Sequence, residues 1–171
     1  MQAILKDIEW LEQQVKHLAA MLLTNSSGSS YEEVAAPDLR DDTSTYATFI
    51  NEGNFSREER LLIVLALANH VNPGMLDRNL KQRMGSAFGK YPELGGVEGE
   101  NFKGLIPTGL TWLALATGND LLRRIDLLKK ATSMSVIVNE IVGIKDSSIS
   151  EPFLSGAIEL NIDLLRLFIN Q

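Results

Sequence analysis

Two glycine-rich stretches carry the residue types that grip phosphate. They are Gly85-Ser-Ala-Phe-Gly89-Lys90-Tyr91 and Gly104-Leu-Ile-Pro-Thr-Gly109-Leu110-Thr111. A phosphate loop needs four residues between its glycines, a lysine for the β- and γ-phosphates, and a hydroxyl for magnesium. The first stretch has the Gly-Lys step, but only three residues separate its glycines and Tyr91 stands at the hydroxyl position. The second has the spacing and the hydroxyl of Thr111, but Leu110 replaces the lysine and no hydrophobic strand precedes it. Both read as glycine-permitted turns, and no nucleotide cofactor is expected.

Other chemistries fare no better. Cysteine is absent, which removes a thiol nucleophile and any thiolate metal site. His17 and His70 are the only imidazoles, too few for a multi-histidine metal centre. His70 ends an apolar segment, where a helix dipole favours it, and His17 reads as solvated. Glu98 and Glu100 form a carboxylate pair inside glycine-rich sequence, a poor frame for acid–base geometry. The cations Arg78, Lys81 and Arg83 remain: a face that reads nucleic acid, or simply a solvated one. The charge balance favours the second, with 16 Lys+Arg against 22 Asp+Glu and a net charge of −6. All of that excess lies in residues 1–55; residues 56–171 are neutral.

The elements that position these residues are mostly helical. Ile4, Ile8, Leu11, Val15, Leu18 and Leu22 recur at spacings of 4, 3, 4, 3 and 4, a heptad seam over residues 1–23. That stripe predicts either a partner or self-association helix or a helix folded onto its own domain, and Trp10, off the seam, suggests a second buried face. Asn25-Ser-Ser-Gly-Ser-Ser30 and the acidic sequence after it predict a flexible acidic linker over 24–42. A short helix is expected over 43–51, with Gly53 as its stop.

Ser56-Arg57-Glu58-Glu59 is a capping box. The segment behind it, Leu61 to Ala68, is apolar all round and predicts the central buried helix. Asn72-Pro73 ends it and opens a third helix to about Met84. Residues 85–106 predict a long glycine-rich loop. Two capped helices follow, one with Trp112 and one with the stripe Leu121, Leu122, Ile125 and Leu128. The β-branched run from Val136 to Ile144 and the segment from Phe153 to Ile158 predict a small antiparallel hairpin, and Asn161 caps a last helix. The fold class is therefore mainly α, winged-helix-like, over 43–171. With no apolar run of about 18 residues, a soluble cytoplasmic protein without membrane partners is expected.

Four stretches resemble a known family. They are Phe55 to Pro73, Leu76-Asp77, Gly95 to Gly109 with Ala116-Thr-Gly-Asn-Asp120-Leu, and Glu151-Pro-Phe-Leu-Ser-Gly156-Ala-Ile-Glu-Leu. Together they are similar to the N-terminal domain of AAA+ ATPases that accompany bacterial contractile injection systems. The resemblance implies a docking or regulatory domain that works through protein contacts ahead of an ATPase domain. It covers only the non-catalytic front of such a protein, so neither enzyme activity nor a cofactor is implied for this chain. The competing expectation is a DNA-binding winged helix using Arg78, Lys81 and Arg83.

Overall fold

The computed structural model describes residues 1–24 and 31–170, a mainly helical chain with a two-stranded antiparallel sheet. Its first helix, α1 (Gln2–Thr24), is buried on two adjacent stripes. One is the heptad seam, Ile4 to Leu22; the other is Ala3, Asp7, Trp10 and Gln14. A helix this wide in its apolar coverage cannot remain in water, and it packs into the same hydrophobic core as the rest of the chain. The seam proposed for a partner is therefore hidden in the chain's own core, which corrects the reading of residues 1–23 as a separate arm.

The expected linker is corrected in part. Asn25 to Ser30 lie outside the described residues. Residues 31–42 form an ordered strap across α1. Trp10 Nε1 donates to the Val34 carbonyl at 2.9 Å, and Gln14 both accepts from Val34 N at 2.8 Å and donates to the Glu32 carbonyl at 3.1 Å. Leu39 is buried, and the Tyr31 hydroxyl donates to the Leu115 carbonyl at 2.7 Å. Glu32, Asp38 and Asp41 face outward, whereas Glu33 reaches Arg123 and Asp42 accepts from Ser44 N at 2.9 Å.

α2 (Thr45–Gly53) is capped by Ser44 and stopped by Asn54 in the left-handed conformation, one residue beyond the expected Gly53. The predicted capping box opens α3 (Arg57–Val71), and every residue from Leu61 to Ala68 is buried. A single charged cluster ties these helices together. Asp7 of α1 is fully buried and accepts from Arg60 Nε of α3 at 3.0 Å and from the Tyr46 hydroxyl of α2 at 2.6 Å. Arg60 also donates to the Pro37 carbonyl of the strap at 2.9 Å and sits over the Trp10 ring. Burial first, then the charge and hydrogen bond of Asp7, push the Tyr46 phenol well above its ordinary pKa, so it stays a donor.

The third predicted helix, residues 75–84, contains a widened π-type turn at Asp77–Gln82. Asn79 explains the widening. Its side chain donates to the Met75 carbonyl at 2.9 Å, the acceptor that its own backbone N–H would use in an α-helix, and also to Glu12 of α1 at 3.0 Å. The glycine-rich stretch is more ordered than expected. It holds two 3-10 turns, Gly85–Lys90 and Pro92–Leu94, and an antiparallel bridge between Val97 and Ile106. Gly95 is required there: its φ is +60°, and a Cβ would meet Thr108 Oγ1 at 2.1 Å.

α4 (Gly109–Thr117) is buried almost entirely, and Trp112 Nε1 donates to the Glu58 carbonyl at 2.9 Å. α5 (Leu121–Ala131) follows. The β-branched run then departs from expectation. Ser135–Val138 forms a helical turn, α6, because the Glu59 carboxylate receives Ser135 Oγ at 2.7 Å and Val136 N at 3.4 Å. The hairpin is therefore shorter and later than predicted: β1 (Val142–Ile144) pairs antiparallel with β2 (Ile158–Leu160), Val142 opposite Leu160. α7 (Ile162–Ile169), capped by Asn161, closes the core with Phe168 edge-on to Tyr46 at 5.1 Å.

Two outcomes test this arrangement. Removing one partner of a buried ion pair leaves the other uncompensated, so Asp7→Ala should cost about 3 kcal/mol in chemical denaturation. Removing Asp38, the exposed partner of Arg40, should leave the unfolding midpoint in place. Glu59 supplies a pH signature. Burial opposes its charge, but the Ser135 hydroxyl and the backbone N–H groups of Ser56, Val136 and Ser135 outweigh it, so its pKa lies below the ordinary glutamate value. A carboxylate depressed in the folded state adds stability at neutral pH and loses it as the pH falls through the folded pKa. Glu59→Gln should therefore destabilise at pH 7 by on the order of 1–3 kcal/mol. Its deficit should shrink as the pH drops below the ordinary glutamate range, read from unfolding curves at stepped pH.

Candidate functional site

The second of the phosphate-like stretches is filled. At the N-terminus of α4, a Cβ on Gly109 would meet the Leu154 carbonyl oxygen at 2.4 Å, and Gly109 N already donates to the Gly156 carbonyl at 3.1 Å. Thr108 and Thr111 are buried and bond to each other's backbone or side chain in a capping box. A phosphate needs free amides pointing into open space, and the β1–β2 connection occupies that space. Lys90 lies exposed at the end of a 3-10 turn.

The three cations on 75–84 are partly engaged. Lys81 pairs with Glu98 at 3.4 Å, Arg83 reaches Asn79 Oδ1 at 3.5 Å, and Arg78 reaches Asn72 Oδ1 at 3.2 Å. Arg78 and Arg83 are exposed, whereas Lys81 is half-buried. His17 Nδ1 lies 3.1 Å from the Glu32 carbonyl, so that ring braces the strap. Among the described residues, no group of three or more His, Asp or Glu side chains is placed to hold a metal ion. None of their helices is long and apolar enough to cross a membrane.

Exposed aliphatic side chains gather on α7, where Ile162, Leu167 and Ile169 are about half-exposed, and more fully on α5. Asp120 caps the helix by accepting from Arg123 N at 3.1 Å. At a spacing of four, Arg123, Leu127 and Ala131 share one row. Leu127 and Ala131 are buried, and the Arg123 guanidinium bonds to the Ala116 carbonyl at 3.1 Å and to Glu33 of the strap. That inward row turns the expected apolar stripe outward. Leu121, Leu122 and Ile125 are 71%, 76% and 48% exposed, and only Leu128 packs partly on the core.

The strap sets this orientation. Gly118, at φ +58°, makes the corner between α4 and α5, and a Cβ there would meet the Tyr31 ring at 2.5 Å. Beside the helix lies a cleft of about 300 Å³, lined by Glu58, Arg123, Asp126, Leu127, Lys130 and Met134 among others. Burial holds the Arg124 pKa below the ordinary guanidinium value and Glu93 pulls it back up. Arg124 keeps its positive charge at neutral pH.

Sequence periodicity finds the α5 stripe but not its direction, because an apolar row looks the same whether a core or water faces it. Beyond α5, Ile149 and Phe153 are also exposed, on the β1–β2 connection. No protein-family model matches the chain, and comparison with curated proteins and with solved structures gives no match.

Charge on the two faces of α5 should separate them. Leu122→Asp should shift stability by within about 0.5 kcal/mol, as exposed substitutions do. Leu127→Asp, which buries an unpaired carboxylate, should lose the cooperative thermal transition. Circular dichroism melts of the two variants decide it.

Proposed function

We propose that the chain is a non-catalytic docking or regulatory domain that works by holding a protein partner on α5. The observation that carries this reading is the outward row of Leu121, Leu122 and Ile125 in a chain that buries the long apolar faces of α1 and α3. Exposed aliphatic side chains grouped on one helix face mark a contact surface. Glu58, Asp126 and Lys130 of the neighbouring cleft offer the polar rim that such contacts use. The sequence resemblance gives the setting: a winged-helix-like front domain of a cytoplasmic AAA+ ATPase that serves a contractile injection system.

The DNA-binding alternative draws less support, since Lys81 spends its charge on Glu98 and the chain carries a net charge of −6. Pairwise calorimetry tests the reading. The chain should bind an AAA+ module or an injection-apparatus protein encoded beside it, and Leu122→Asp with Ile125→Asp should abolish that binding. Arg78→Ala with Lys81→Ala should leave it intact. Salt-steep binding to duplex DNA that depends on Arg78, Lys81 and Arg83 would replace this reading with the alternative.

A further inference from the structure

We draw no further inference here: the strongest candidate, the outward Leu121, Leu122 and Ile125 face of α5, belongs to the site already described, and nothing in the structure shows what covers it.

Discussion

A fully buried carboxylate holds the chain together. Asp7 has no water to neutralise it, so Arg60 and Tyr46 must both reach it, and they do so from different helices. Satisfying that one charge sets the relative placement of α1, α2 and α3. It also draws in the strap, because the remaining capacity of Arg60 goes to the Pro37 carbonyl. Trp10 then lies under the guanidinium groups of Arg57 and Arg60, at 5.7 and 5.6 Å. Hydrophobic burial supplies most of the driving force for such a core, but it is non-directional. The ion pair and its hydrogen bonds give the helices a unique register.

The strap carries that order to the far side of the molecule. Its first residue, Tyr31, covers the Gly118 corner and bonds to Leu115, and Glu33 engages Arg123. These contacts rotate α5 so that its inward row is Arg123, Leu127 and Ala131. The aliphatic side chains of the opposite face are left to water. One helix thus gives up its apolar face to the core while another leaves its own in water.

The glycine-rich stretch is a brace. Gly95 permits the chain to approach Thr108, the Thr111 hydroxyl donates to the Leu94 carbonyl at 2.7 Å, and the Val97–Ile106 bridge closes the turn. Gly109 lets the β1–β2 connection seat directly on the first turn of α4. Of the glycines that resembled a phosphate cradle, Gly109 is there because the Leu154 backbone packs against it.

Local chemistry was legible along the chain. The Ser56–Glu59 capping box, the all-round apolar run to Ala68, the caps at Asp120 and Asn161 and the helical period of α1 each depend on residues within a few positions of one another, and each is present in the fold. So is the mainly helical class with its small sheet. What the tertiary structure alone decided is which apolar face meets the core. The Ile4–Leu22 and Leu121–Ile125 rows are equivalent as patterns, yet a buried carboxylate 53 residues away from its arginine draws one inward, and an arginine held by the strap turns the other outward. The same holds for residues 135–138, whose β-branched side chains favour strand but whose backbone is captured as a helical turn by Glu59. Propensity and periodicity are properties of neighbours in sequence, whereas these choices are made by charges and hydrogen bonds between residues that only folding brings together.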